Sequence, residues 1–173
     1  MLRNTLRFSF ALVAIVALVG VAACGKDKGK SADKSGGAAN QADAPATKTF
    51  TLAQVDNLKV ELPAGANISK GVGSGVMIMA PDLVVSISRA GSSTAKTLDA
   101  AKKDAQMFKP QKLKAEKLSD GFALTFENKG GLGRNYFVRV VRVIGGKAYS
   151  CTTTASRPAQ KANALKVCKT LHK

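Results

Sequence analysis

The sequence predicts an α+β domain, in which an antiparallel β-sheet packs with two amphipathic helices, after a cleaved signal peptide and a disordered tether. Three observations support this class. Several short segments alternate apolar and polar residues and are separated by turns that contain Gly or Pro. Two longer segments repeat apolar residues at helical spacing. The 173 residues, 45% of them hydrophobic, suit one globular domain of ordinary size.

The N-terminus has the pattern of a secretory signal peptide. Arg3 and Arg7 supply a positively charged start, and the apolar run that follows, residues 8–23, is interrupted only by Ser9 and Gly20. This run of 16 residues is shorter than the ~20 that a membrane-spanning helix needs. A transmembrane helix is the alternative interpretation of the same run.

The end of this run, Val21-Ala22-Ala23-Cys24, resembles the lipobox of bacterial lipoproteins. The resemblance implies that residues 1–23 are removed and that Cys24 becomes a lipidated N-terminus, since two or more acyl chains hold a protein stably on a membrane. The protein is therefore expected on the cell envelope, bound to the membrane through its lipid. Gly25 rather than Asp follows the cysteine, which by analogy with enterobacterial sorting favours the outer membrane, facing the periplasm.

Residues 24–48 are predicted to be the lipidated Cys and a flexible tether. From Gly25 to Lys48 there is no aromatic residue and no Leu, Ile, Val or Met. Such a segment cannot bury enough apolar surface to offset the entropy lost on ordering. Its root-mean-square reach is roughly 25–30 Å, which separates the domain from the lipid headgroups.

The domain is then expected over residues 49–173. Its local patterns predict strands at 58–62, 76–80, 83–88, 113–118, 122–126, 136–144 and 147–154. The 136–144 segment is apolar on both faces, which predicts a central strand. Gly145-Gly146 predicts a tight hairpin turn, and the Gly-rich residues 128–133 predict a hairpin loop.

Two helices complete the domain. The first is predicted over residues 97–108, and the second is predicted to be capped by Ser156 with Pro158 in its first turn. The expected inner faces are Leu98, Ala101, Ala105 and Phe108 in the first helix, and Ala162, Leu165, Cys168 and Leu171 in the second.

The order of these elements resembles that of PsbP-like and DcrB-like domains, which are α/β/α sandwiches found on bacterial lipoproteins and photosystem subunits. The matching segments are LKVELPAG, TLDAAKKDA, FALTFE, GGKAYSCTTT and CKTL. The resemblance covers most of residues 50–171 and implies a PsbP-like sandwich. It also implies a binding or assembly module without a shared catalytic site.

The chain has three cysteines. If Cys24 is lipidated, Cys151 on the last strand and Cys168 on the last helix remain, and in an oxidising compartment we expect them to form a disulfide. Two buried thiols are the alternative. A metal site is disfavoured, because Cys151, Cys168 and His172 supply only three ligands without paired spacing. No C-x-x-C redox motif is present.

The sequence offers little material for an enzyme. Its only histidine, His172, stands one residue from the last position, which weakens Ser-His and Cys-His mechanisms. Residues 71–75 are Gly-rich but lack the Lys and Ser/Thr of a phosphate-binding loop, so they predict a hairpin loop. The eight domain carboxylates are scattered, and a glycosidase-like pair stays open. We expect no enzyme, no cofactor and no metal.

The net charge of +16 is the feature that suggests a partner. An anionic envelope component (acidic lipid or lipopolysaccharide) or an acidic envelope protein is expected to attract basic side chains. The alternative is a highly charged surface that serves solubility. Nucleic acid is disfavoured, because an exported protein rarely meets it and few aromatic residues can stack on bases. The candidate contact residues are Lys109, Lys112, Lys114, Lys117, Arg139 and Arg142.

Two functional hypotheses follow. The first is a non-enzymatic envelope lipoprotein whose domain binds a protein or envelope component through a basic surface. The second is a carrier of a small or lipidic ligand in a pocket between sheet and helix. Arg139 and Arg142 bear on the first hypothesis: they fall on opposite faces of one strand, so at least one must pair with a carboxylate or reach the sheet margin.

Overall fold

The computed structural model describes residues 46–131 and 133–173. These residues form nine strands and two helices. In chain order the elements are β1 (Thr47–Leu52), β2 (Leu58–Pro63), β3 (Asn67–Lys70), β4 (Val76–Ala80), β5 (Leu83–Arg89), α1 (Leu98–Gln106), β6 (Gln111–Leu118), β7 (Gly121–Gly130), β8 (Gly133–Ile144), β9 (Lys147–Ala155) and α2 (Pro158–Lys169).

Seven of the strands form one antiparallel sheet in the order β3-β4-β5-β9-β8-β7-β6, and β1 pairs with β2 in a small second sheet. The predicted α+β class, with an antiparallel sheet and two helices, is confirmed. Strand β8 pairs with β7 on one side and β9 on the other, as its apolar character predicted. Gly145 and Gly146 have φ values of 58° and 73° and make the two-residue turn between β8 and β9.

The two sides of the large sheet are covered differently. On one side, here called the α2 side, α2 and the β1–β2 sheet enclose the main core, which includes Val85, Val140 and Cys151. On the other side, the α1 side, Ala101 and Ala105 of the short helix α1 pack on Phe122, Leu124 and Phe126 of β7. Strand β7 therefore has buried residues on both sides.

A disulfide joins Cys151 of β9 to Cys168 of α2 across a Cα–Cα distance of 5.6 Å, as the cysteine count predicted. The predicted inner face of α2 was only partly right. Cys168 and Leu171 are buried, but Ala162 is exposed and Leu165 is half-buried. A constant spacing of three residues drifts around a helix of 3.6 residues per turn. The buried residues instead follow the i, i+3, i+4, i+7 pattern: Ala164, Val167, Cys168 and Leu171.

Two local predictions were wrong in part. The N-cap of α2 is Arg157, not Ser156, whose backbone N–H instead donates to Gln160 Oε1 at 3.2 Å. The hairpin predicted at residues 128–133 is present, but its predicted loop is too long, because β7 extends to Gly130 and β8 begins at Gly133. Cross-strand pairing extends this hairpin, and Asn135 Nδ2 donates to Asn128 Oδ1 at 3.1 Å.

Strands β1 and β3 were not predicted. Strand β1 begins at Thr47, so the last two residues of the predicted tether lie in a strand that pairs with β2. The four-residue β3 pairs with β4 across the hairpin at residues 71–75. No helix within the described ranges is long and apolar enough to cross a membrane.

Candidate functional site

The predicted lipobox, Val21 to Cys24, lies outside the described residues, as do the rest of the signal peptide and most of the tether. Lipidation of Cys24 and the envelope location therefore stay predictions. The candidate functional site described below lies on the domain.

The structure distributes the candidate basic residues over both sides of the sheet. Lys114 pairs in register with Thr125, and it lines a hollow with Leu165 of α2, which puts it on the α2 side. Lys117 pairs with Phe122, whose ring packs with α1, so Lys117 lies on the α1 side. Lys109, with a φ of 49°, lies in the connection between α1 and β6.

Arg139 and Arg142 both pair with carboxylates. On the α1 side, Arg139 Nη1 lies 3.3 Å from Asp104 Oδ2. On the α2 side, Arg142 Nε lies 2.6 Å from Asp120 Oδ1, and its Nη1 donates to the Lys169 carbonyl at the end of α2 at 2.5 Å. The side chains are 31% and 16% exposed. Arg142 therefore fastens α2 to the sheet, whereas Arg139 remains more accessible.

Lys112 belongs to a cluster around a buried carboxylate. Glu127 is 5% exposed, and its oxygens lie 2.7 Å from Arg134, 3.0 Å from Lys161 and 3.4 Å from Lys112. Hydrogen bonds from Arg134 and then Lys161 lower the pKa of Glu127 from the usual 4.5 to about 2. Lys161 also lies over the Tyr136 ring, 5.1 Å from its centroid. The cluster joins β6, β7, β8 and α2, so its role is structural.

A second cluster joins the β1–β2 turn to the large sheet. The buried hydroxyl of Tyr149 donates to Asp56 Oδ2 at 2.7 Å, and Lys147 and Arg89 lie 3.3 Å and 3.9 Å from the same carboxylate. The Tyr149 hydrogen bond is the main cause that lowers the pKa of Asp56. Burial is the main cause that raises the pKa of Tyr149. Sequence inspection treated Asp56 and Glu127 only as scattered carboxylates and missed both clusters.

The described residues offer few other candidates for catalysis or metal binding. The disulfide occupies both domain thiols, and His172 Nδ1 lies 2.8 Å from the Thr170 carbonyl oxygen. Within residues 46–131 and 133–173, no three His, Cys, Asp or Glu side chains are grouped so that they could hold a metal ion.

Much of the α1 side of β4, β5 and β9 is uncovered. Helix α1 packs mainly on β7, so these three strands lie beyond its reach. Val84 is 41% exposed there, and Met79, which pairs with Val84 in register, is exposed to the same degree. Ser86 and Thr152, which pair in register, carry hydroxyl groups on this open side.

A groove of about 440 Å³ lies where this open surface meets Phe108, just after the end of α1. Three phenylalanine rings form one wall. Phe126 and Phe137 stack with centroids 4.5 Å apart, and Phe108, 40% exposed, lies 5.3 Å from Phe137. The groove is lined by Val84, Ser86, Phe108, Phe126, Phe137, Val138, Arg139, Thr152, Thr153 and Thr154.

The sheet itself parts beside the groove. The pairing of β5 with β9 begins at Ser86 and Thr152, so the first three residues of β5 and the last three of β9 do not pair across this seam. A second hollow of about 270 Å³ lies there and shares Val84, Thr153 and Thr154 with the groove. It extends the groove toward the amide side chains of Asn135 and Gln160.

Chemically, the groove offers an apolar wall, several hydroxyl groups and one guanidinium. This combination is typical of sites that bind small amphipathic molecules. Of the six predicted contact residues, only Arg139 lines the groove. A sequence signal for the open side exists in β9, where the half-buried Thr152 and the exposed Thr154 alternate with the buried Cys151 and Ala155.

No protein-family model matches the chain, and no curated protein sequence matches it.

Proposed function

We propose that this chain is a lipid-anchored protein of the cell envelope, held on the membrane through Cys24 and facing the periplasm from the outer membrane. Its domain is a non-enzymatic binding or assembly module of the PsbP-like type. The open α1 side of β4, β5 and β9, with its aromatic-walled groove, is the observation that carries the proposal. On the opposite side of the sheet, α2 and the small sheet cover the main core, and the disulfide joins α2 to β9.

Charge favours an anionic partner. The described residues include 21 Lys and Arg against eight Asp and Glu. Seven of the eight carboxylates pair with a cation, and these pairs occupy ten of the basic residues. The surplus cations give the domain a positive field that attracts acidic proteins and anionic envelope lipids. These cations are spread over the surface. We therefore assign them the long-range attraction of an anionic partner, and we assign the direct contact with that partner to the open side.

The carrier function is the second candidate, and the groove volume is the observation that favours it. About 440 Å³ falls within the range of small-ligand sites. No residue of α1 lines the groove, so it lies beside the helix and not in the sheet–helix pocket that the carrier hypothesis expected.

The test is crosslinking in intact cells, followed by capture of the tagged protein and mass spectrometry. The variant Val84→Glu puts a charge on the open side. Val143→Glu is its matched control, because Val143 is also an exposed strand valine, 48% exposed, and does not line the groove. One stoichiometric protein partner that is lost only with Val84→Glu supports the assembly module. A partner that both variants retain contradicts the open side as the contact. Capture of lipid or glycan alone favours the carrier.

A further inference from the structure

We propose that the groove binds a single-chain lipid with an anionic head, with the chain along the phenylalanine wall and the head at Arg139. The inference rests on the proposed function, because it names the occupant of the same open surface. It depends on two neighbouring rows of side chains that run across the strands on the α1 side.

The first row is polar. Ser86 of β5 pairs with Thr152 of β9, and Thr152 pairs with Arg139 of β8. Directly paired residues of antiparallel strands point to the same side of the sheet. Two hydroxyl groups and a guanidinium therefore stand in one line across three adjacent strands, and all three residues line the groove.

The second row is mostly apolar. Phe137 pairs with Thr154 and with Phe126, and Val84 lies across the seam from Thr154. Met79 continues the row on β4. At the spacing of paired strands the row from β4 to β8 would span about 14 Å, and the unpaired seam between β5 and β9 makes it at least that long, which suits an extended chain of about a dozen or more carbon atoms. The rows are two residues apart along the strands, or about 7 Å.

This spacing selects the chemistry of the ligand. A molecule that fills both rows needs an apolar chain and, beside it, a group that accepts hydrogen bonds from hydroxyls and a guanidinium. The Asp104 contact uses one of the five N–H donors of Arg139, so others can face a carboxylate or phosphate. Asp104 acts as a positioning residue that holds the guanidinium beside α1. The positive charge of the domain adds long-range attraction for an anion.

The experiment uses the full chain in neutral bilayer discs, with dodecanoate that carries a terminal diazirine as the photoreactive probe. Mass spectrometry then maps the labelled peptides. We expect the label on β5, on β9 and on the connection between α1 and β6 that contains Phe108. Arg139→Gln should weaken labelling by dodecanoate roughly tenfold, the expected scale for a lost hydrogen bond to a charged group. The uncharged dodecanol probe should label wild type and Arg139→Gln alike. Lys114→Gln, which removes a cation from the α2 side, should leave both probes unchanged.

Val84→Glu should abolish groove labelling, whereas Val143→Glu should retain it. Labelling that survives Val84→Glu, or an equal effect of Arg139→Gln on both probes, would overturn the proposal. Excess dodecanoate and lysophosphatidylglycerol then compete for the label, and the stronger competitor shows whether a fatty acid or a phospholipid supplies the head.

The same two valine variants separate this proposal from the proposed function. No groove label together with a protein partner that depends on Val84 overturns the lipid ligand and keeps the binding module. No groove label together with a partner that both variants retain, or with no partner at all, counts against both.

Discussion

The disulfide between Cys151 and Cys168 provides a quantitative test of how α2 is held on the sheet. It closes a loop of 17 residues, which by the chain-entropy relation stabilises the fold by about 3 kcal/mol. Each Cys→Ala substitution also removes a fully buried sulfur, worth roughly 1 kcal/mol. We therefore expect each single substitution to lower the free energy of unfolding by about 4 kcal/mol, and the double substitution by about 5 kcal/mol.

The assay is urea denaturation of the full chain in a mild detergent, followed by far-ultraviolet circular dichroism. The two single variants and the double variant form a thermodynamic cycle. Its coupling energy should be about 3 kcal/mol, because the loop constraint is lost once, with the first substitution. Wild type treated with a phosphine reductant is the control, since reduction removes the constraint and keeps both sulfur atoms.

An additive cycle would refute the reasoning, because it would mean that the two cysteines contribute independently. An unchanged urea midpoint after reduction would refute it as well. Mass measurement provides the covalent check: the oxidised domain should be about 2 Da lighter than the reduced domain, since one disulfide replaces two thiol hydrogens.

Three further predictions concern the anchor, the buried carboxylate and the two arginines. Cys24→Ser should leave an uncleaved precursor without lipid, and a variant that matures normally by mass would contradict the anchor. The folded state lowers the pKa of Glu127 from 4.5 to about 2, so its ionised form stabilises the fold above pH 4.5 and this stabilisation is lost as the pH falls toward 2. In the same pH range, the free energy of unfolding of Glu127→Gln should therefore change less with pH than that of the wild type. The same pH dependence in both proteins would contradict this prediction. Arg142→Ala should lower the free energy of unfolding, measured by urea denaturation, by about 2–3 kcal/mol, and Arg139→Ala should lower it by less than about 1 kcal/mol. Of the two arginines, only Arg142 makes nearly buried, charge-assisted hydrogen bonds. Equal losses would contradict this difference.

Local patterns predicted the elements that are specified within a few residues. The alternation of Phe122, Leu124 and Phe126 predicted one side of β7, and Gly145-Gly146 predicted the turn between β8 and β9, where both glycines have positive φ values. The disulfide could be predicted because, if Cys24 is lipidated, two cysteines remain, one on a predicted strand and one on a predicted helix. These inferences need no knowledge of the strand order.

Elements that depend on a distant partner were missed. Strand β1 has weak local character and exists through its pairing with β2, and β7 continues to Gly130 because β8 pairs along its length. The groove depends on still longer-range order. Ser86, Thr152 and Arg139 come from three strands, and they form a row only because β9 lies between β5 and β8. Sequence reasoning could place Arg139 on a strand, but it could not give the neighbours of its side chain.

The sizes of helix α1 and of the large sheet explain why part of the sheet is uncovered. Helix α1 has nine residues, so it is about 14 Å long and roughly 10 Å wide, which is enough to cover about two strands. The large sheet has seven strands and is about 29 Å across. Beyond the reach of α1, the sequence places hydroxyl side chains such as Ser86 and Thr152, which tolerate water. Val84 and Phe108 depart from this pattern, and both border the groove. Exposed apolar residues such as Val72 and Val143 also occur away from the groove, so exposure by itself does not mark a site. The argument for binding is that Val84 lines one groove together with the rings of Phe108, Phe126 and Phe137, because an apolar patch, unlike a single residue, is typical of a binding surface.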